Sequence, residues 1–355
     1  MKIRTPLKLL KGIFLNKITK TPYKLNFAIT SACNSRCQTC NVWKIYRQNP
    51  KISEKDLKFK EIEKIFRKLS PSISWISFSG GEPFLRGDLF QIIQSAIKNL
   101  PNLVFISMPT NGLAKEKIIQ VAKKIFTISH PAFYLYFSLD GPREIHDQIR
   151  GIKGAYEKTW ETYQEVKKLA NKNDDDFHAG IETTISVFNL PYLMDFFQKL
   201  KKEGNEMTVT IAHNAYLYHN EKGEKLTPGF CEKSIKLLKS LEESQKFYNP
   251  QNLIERIYIK KAISFLKNNK KMVLPCSSMR GTIAIQPNGD LTPCFMWGRI
   301  LGNLRDFDYD TMGILGSKTS KETKKMIIEE KCPICWTPCE SVQTIIDNFP
   351  SSLWR

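Results

Sequence analysis

From Lys24 to about His213, short runs rich in β-branched and aromatic residues alternate with longer stretches whose apolar positions recur every three or four residues. Such alternation marks repeated βα units around a parallel sheet, because each parallel connection must carry the chain back across the sheet and a helix does so. The spacing predicts six strands, Lys24–Thr30, Ser74–Phe78, Leu103–Met108, Phe133–Leu139, Gly180–Val187 and Met207–His213. Helical patterns lie between them, among them Leu57–Leu69 and Ala114–Ile125. The expected class is α/β, with a barrel-like main domain over residues 24–215. Polar, glycine-bearing segments follow several strand ends, where such folds carry their active sites.

Residues 216–271 read as a helical connection, with two helices from Phe230 to Lys270. After it, Gly281–Gln286, the turn Pro287-Asn288-Gly289 and Asp290–Phe295 predict a β-hairpin. A small α+β domain is therefore expected over 272–345, with a tail over 346–355. At the other end, Leu7, Leu10, Phe14 and Ile18 recur at helical spacing, with Lys8, Lys11 and Lys17 off that face. Residues 1–23 thus form a basic amphipathic segment, suited to closing one end of the main domain or to peripheral contact with an anionic membrane. Lys8 and Lys11 break the apolar run that a secretory signal needs, so a cytoplasmic location is expected, peripheral at the inner membrane surface if the tail binds lipid.

The chain has 355 residues, 41% apolar and 25% charged, enough for about two globular domains. The longest apolar run, Ala132 to Leu139, has strand length and cannot span a bilayer. The net charge of +19 attracts anions, yet seven of the positive charges fall within residues 1–24. No patch interleaves basic and aromatic residues as nucleic-acid platforms do, so nucleic acid is not an expected partner. GxSxG, GxxxxGK[ST] and HExxH are all absent, and the five histidines are dispersed. His213, at the sixth strand end, is expected to pack.

Of nine cysteines only Cys231 stands alone, and it reads as a buried apolar residue. Cys33, Cys37 and Cys40 lie in Ser-Ala-Cys-Asn-Ser-Arg-Cys-Gln-Thr-Cys, directly after the first strand. Three thiolates spaced CxxxCxxC within one loop can converge on a soft metal centre. An odd number in a cytoplasmic chain argues against disulfides, and zinc would lack a fourth ligand because the nearest histidine in sequence is His130. An iron-sulfur cluster can leave one iron open.

At these residues the sequence resembles the radical S-adenosylmethionine (SAM) enzymes, and further motifs extend the likeness over nearly the whole chain. In that family a CxxxCxxC motif holds a 4Fe-4S cluster whose fourth iron is chelated by SAM. Ser79-Gly80-Gly81-Glu82-Pro83 matches the GGEP motif that meets the methionine amino group. Thr110-Asn111-Gly112 ends the third strand, and Ser138-Leu139-Asp140-Gly141 with His146-Asp147 and Arg150-Gly151 resembles the SLDG...HDxxRG segment. The resemblance implies that Ser138 and Arg150 meet the SAM carboxylate, with Asp140 in the same segment. It also implies that Thr183 to Ser186, with Asn189, meets the ribose. The implied fold is a partial (β/α)6 barrel of the TIM type. The implied chemistry is reductive cleavage of SAM to a 5'-deoxyadenosyl radical that abstracts hydrogen from substrate, fed by an electron donor such as flavodoxin or ferredoxin.

The remaining cysteines are Cys276, Cys294, Cys332, Cys335 and Cys339, flanking the hairpin and continuing into a CxxC. They resemble the SPASM and Twitch extensions of that family, which hold auxiliary 4Fe-4S clusters. Five are fewer than a full SPASM domain has, so one auxiliary cluster is implied. Cys276, Cys294, Cys332 and Cys335 would ligate it, and Cys339 would be spare or an alternative ligand. Phe295 stands where sulfatase maturases of that group have an aspartate, which argues against that oxidation. Peptide modification and oxidation or C-C bond formation on a sugar or lipid intermediate both stand open as reactions. Outside the class stands a basic zinc-binding protein that interacts with RNA.

Overall fold

The first strand, β1 (Lys24–Thr30), is buried along its whole length, as a strand inside a parallel sheet must be. Its Leu25, Phe27 and Ile29 join the main hydrophobic cluster, whereas Ala28 packs on the other face with Leu217, Ala284 and Phe295. The computed structural model describes residues 16, 18–173, 176–221, 226–244, 250–268, 271–349 and 351–353. The amphipathic pattern at Leu7, Leu10 and Phe14 lies outside them.

Five more strands follow in parallel: β2 (Trp75–Gly80), β3 (Phe105–Thr110), β4 (Ala132–Ser138), β5 (Phe177–Ile185) and β6 (Met207–Ile211). The intervening helices are α1 (Val42–Gln48), α2 (Phe59–Lys68), α3 (Leu89–Asn99), α4 (Lys115–Ile125), α5 (Arg143–Arg150), α6 (Ala155–Asn173) and α7 (Leu193–Lys202). Helices α2, α3, α4 and α7 each bury one apolar stripe, Ile62, Ile65 and Phe66 in the case of α2. After β6 come α8 (Pro228–Ser244) and α9 (Pro250–Lys267), then the hairpin β7 (Thr282–Ile285) and β8 (Asp290–Thr292), a short β9 (Gly302–Asn303), and α10 (Thr311–Gly316), α11 (Lys318–Ile328) and α12 (Pro338–Asp347). The α/β partial barrel expected from the sequence is the observed architecture. Among the described residues no helix is long and apolar enough to cross a membrane.

The hairpin differs from expectation in two respects. Its second strand ends at Thr292 rather than Phe295, because Pro293 has no N–H to give the ladder. It also joins the main sheet: β7 pairs in parallel with β1, Lys24 opposite Thr282 through Phe27 opposite Ile285. The result is one nine-stranded sheet in the order β6-β5-β4-β3-β2-β1-β7-β8-β9. At the N-terminal strand ends the inner face is filled by a row of rings. Trp75 and Phe105 lie 4.9 Å apart, Phe105 and Tyr134 4.7 Å, and Tyr134 and His178 4.4 Å. With these rings across that end, the chamber of the partial barrel lies toward the C-terminal strand ends.

Candidate active site

The loop after β1 is fixed along its length by main-chain contacts. At its root Asp56, 5% exposed, accepts from Ser31 N (2.8 Å), Ser31 Oγ (2.7 Å) and Thr30 Oγ1 (3.0 Å). Further on, Arg36 N donates to Arg150 O (2.9 Å), Gln38 N to Ile149 O (2.9 Å) and Asn41 N to Tyr218 O (2.8 Å). The Trp43 indole donates to Cys37 O (3.0 Å). Cys33, Cys37 and Cys40 are thus held between the end of β2, the end of α5 and the 215–220 segment. Gly81 permits the first of these approaches: its N donates to Thr30 O, and a Cβ there would stand 2.1 Å from Ala32 O and 3.1 Å from Cys33 Cβ. Gly151 permits the second, with φ of 65° and a Cβ position 2.8 Å from Arg36 O.

Two charged side chains meet this loop. Glu82, 1% exposed, accepts from Asn111 N (2.7 Å), Thr110 Oγ1 (2.9 Å) and Phe84 N (3.2 Å). Burial pushes its carboxyl up to about 7 against the pull of those donors. Gly80 (φ 118°) precedes it, and the buried Pro83 starts the single turn that follows. Arg150 Nη2 lies 2.7 Å from Asp140 Oδ2, and Nη1 lies 3.5 Å from Cys37 Sγ. Its Nε is buried without an acceptor.

Asp140 Oδ1 accepts from Thr184 N (3.2 Å), and Asp140 N donates to His146 Nδ1 (3.1 Å). Asn189 is buried with every polar atom engaged: Oδ1 accepts from Ser186 N and Oγ, and Nδ2 donates to Asp140 O and Thr184 O. Ser186 and Asn189 therefore brace the strand ends, while Ser138, partly exposed and opposite Glu182 in register, faces the chamber.

All nine cysteines are free thiols, and among the described residues no three His, Cys, Asp or Glu side chains are drawn tightly enough together to form a metal-holding group. Burial pushes Cys33 and Cys40 up to about 12, so their deprotonation awaits a cation or metal. The donor set suits a thiolate-ligated cluster. Three soft ligands share one loop, Cys37 Sγ lies within reach of Arg150 Nη1 and 3.1 Å from Ser35 Oγ, and the buried Arg150 Nε lacks an acceptor.

The C-terminal thiols divide. Cys276, Cys294, Cys332 and Cys335 line one cavity together with Trp297, Trp336 and Glu340. Cys339 is not among the lining residues and packs toward Ala28, Leu217, Ala284 and Phe295. Glu340, 3% exposed, accepts from Asn26 Nδ2 (3.0 Å) and Gln343 Nε2 (3.2 Å). Lys24, 1% exposed, donates to Cys339 O (2.9 Å) and Gln343 Oε1 (3.1 Å), so α12 is pinned to β1. Burial pushes Glu340 up and Lys24 down. His213 Nε2 accepts from Trp336 N (3.2 Å) and Nδ1 contacts Ile211 O (2.6 Å), so both ring nitrogens are spent and the packed role expected from sequence is the observed one.

Sequence reasoning missed Glu182. Alternation along β5 could have found it, since Ile181, Thr183 and Ile185 are fully buried while Glu182 and Thr184, on the opposite face, are partly exposed.

Comparison with known proteins agrees with this geometry. The chain is 30% identical over 177 residues to Fe-coproporphyrin III synthase of Methanosarcina barkeri, covering 49% of this chain and 40% of that protein. It is 25% identical over 281 residues to the probable GTP 3',8-cyclase of Archaeoglobus fulgidus, covering 77% and 85%. The chain spans about half or less of the length of the first curated relatives it matches, 40%, 52% and 42%. Among solved structures, native anSMEcpe with bound AdoMet superposes with a TM-score of 0.59 at 16% identity, covering 94% of this chain and 98% of that one. Streptococcus suis SuiB bound to precursor peptide SuiA does so at 0.60 and 13%, covering 92% and 74%. These two likenesses concern the fold. The Radical SAM superfamily profile matches residues 27–183, the span that holds the cysteine loop, Glu82 and Arg150, and marks that span as a radical SAM domain.

Proposed function

We propose that the chain holds a 4Fe-4S cluster through Cys33, Cys37 and Cys40, binds SAM at its open iron, and abstracts a hydrogen atom from a substrate held inside the barrel. The observation that carries this reading is that one loop bearing three thiols lies beside a buried carboxylate and a buried guanidinium at one end of the sheet. The cluster, when bound, supplies the electron that cleaves SAM. The chain's own residues do the rest. Glu82 accepts hydrogen bonds and suits an ammonium, Arg150 offers a fork to a carboxylate, and aromatic rings line the floor of the barrel.

Cys276, Cys294, Cys332 and Cys335 would hold one auxiliary 4Fe-4S cluster, supported by their shared cavity, and Cys339 stands outside that set. A low-potential protein such as flavodoxin or ferredoxin would deliver electrons. The precursor peptide bound by SuiB supports a peptide among the substrates that this fold admits.

The test is iron and acid-labile sulfide per chain after anaerobic reconstitution, with 5'-deoxyadenosine assayed under dithionite. Wild type is expected to hold about eight irons, and a Cys33→Ala, Cys37→Ala, Cys40→Ala variant about four with no 5'-deoxyadenosine. About four irons in wild type and none in the variant would make the C-terminal thiols a zinc or free-thiol site and remove the auxiliary cluster from the scheme.

A further inference from the structure

Glu182 is left unused by that chemistry. It lies on the inner face of β5, in register between Ser138 on β4 and Thr208 on β6. Among the described residues its carboxylate makes no hydrogen bond or ion pair with protein. Arg150, the cation closest to hand, is already held by Asp140 at 2.7 Å. Burial pushes the Glu182 carboxyl up to about 7, and Asp140 adds to the rise. The side chain is partly exposed on that inner face, so a carboxylate without protein donors is open there to a partner that comes from outside the chain.

The surroundings narrow that partner. The hydroxyls of Tyr136, Tyr218 and Tyr258 all feel the charge of Glu182, as does the Cys339 thiol from the α12 side. Below them lie Tyr134, Phe105 and Trp75. A carboxylate with no donor of its own, on a face lined further down by the rings of Tyr134, Phe105 and Trp75, suits a cation, which the carboxylate attracts directly and which aromatic surroundings tolerate. A neutral hydroxyl would gain much less there, and an anion would be repelled.

We propose that Glu182 is the substrate-anchoring residue of the chamber, and that the substrate presents a cationic nitrogen group, an amine or guanidine, to it. The assignment rests on the hydrogen abstraction proposed above. It deepens that reading by naming the group on the substrate that the chamber recognises.

The test uses the full-length reconstituted protein with SAM, dithionite and three perdeuterated four-carbon probes that differ only in head group: butylammonium, butanol and butyrate. Abstraction breaks one C–D bond homolytically and places deuterium on C5' of 5'-deoxyadenosine, which mass spectrometry reads. Dithionite supplies the electron for SAM cleavage.

Labelling from butylammonium is expected to exceed that from either other probe by about tenfold, and Glu182→Gln to collapse the ratio toward one, while Glu182→Asp retains part of it. Equal labelling from the three probes, or none, overturns the assignment. So does a Glu182→Gln protein with normal iron content that loses SAM affinity, which would move this carboxylate to the SAM site. Absence of any 5'-deoxyadenosine in wild type would instead defeat hydrogen abstraction itself, and the two failures are told apart.

Discussion

The loop of Cys33, Cys37 and Cys40 and the cavity of Cys276, Cys294, Cys332 and Cys335 gather thiols in opposite ways. The first sets three cysteines on eight consecutive residues and ties them by main-chain hydrogen bonds to neighbouring loops. The second draws its thiols from three separate segments and walls them with Trp297 and Trp336. Neighbours in sequence meet at little entropic cost, whereas distant segments must first close loops, so a metal held at the second site would be coupled to folding much more strongly. The first suits ligand exchange at a chamber mouth, and the second suits permanent enclosure.

The largest expected effect comes from Gly81→Ala. Its Cβ would stand 2.1 Å from a backbone oxygen, so the main chain has to move. 5'-Deoxyadenosine formation should fall more than about a hundredfold while the C-terminal cavity keeps about four irons. Gly87→Ala, with nothing within 4 Å, is the matched control. Loss of all iron in Gly81→Ala would mean that the two sites fold as one, and the contrast would break.

Next is the tether between the regions. Burial holds His213 down to about 4, below its unfolded value of roughly 6.5, so the stability it contributes is present above that higher value and is lost as pH falls through the lower one. Roughly 3 kcal/mol is at stake at most. Thermal unfolding from pH 6.5 to 4 should therefore be steeper in wild type than in His213→Gln. Equal slopes would place the acid-sensitive contact elsewhere.

The smallest effect sharpens the first site alone. Arg150→Lys keeps the charge but cannot serve Asp140 and Cys37 with a fork and still offer a further donor. SAM affinity, followed by equilibrium dialysis, should drop about tenfold with iron content unchanged. A loss of iron instead would assign Arg150 to holding the loop.

How much of this was legible depended on distance along the chain. β1 was read to the residue, because its apolar alternation ends where the cysteine loop begins. The pairing of β7 with β1 left no local trace, since neither strand records its partner, and the short β9 offered too few residues to show a period. Cys339 follows a CxxC closely enough to read as its companion, but Pro338 starts α12, and the helix carries Cys339 away from the cavity. Ser186 and Asn189 looked alike as polar residues at a strand end, and only the folded hydrogen-bond pattern reveals that their capacity is spent within the chain. Glu182 stood in plain alternation, yet its want of a partner is a property of the folded sheet.

Since β1 lies inside the sheet and one of its neighbours is β7, the order of synthesis leaves it half-paired. Lys24 leaves the ribosome some 258 residues before Thr282, its register partner. At about 5–20 residues per second, that edge stays open for roughly 10–50 s during translation. A nascent chain with an exposed row of N–H and C=O groups, rich in apolar residues, is a substrate for holding chaperones and a risk for intermolecular strand pairing. Truncation anywhere before the hairpin would therefore yield an aggregating barrel rather than a smaller working one.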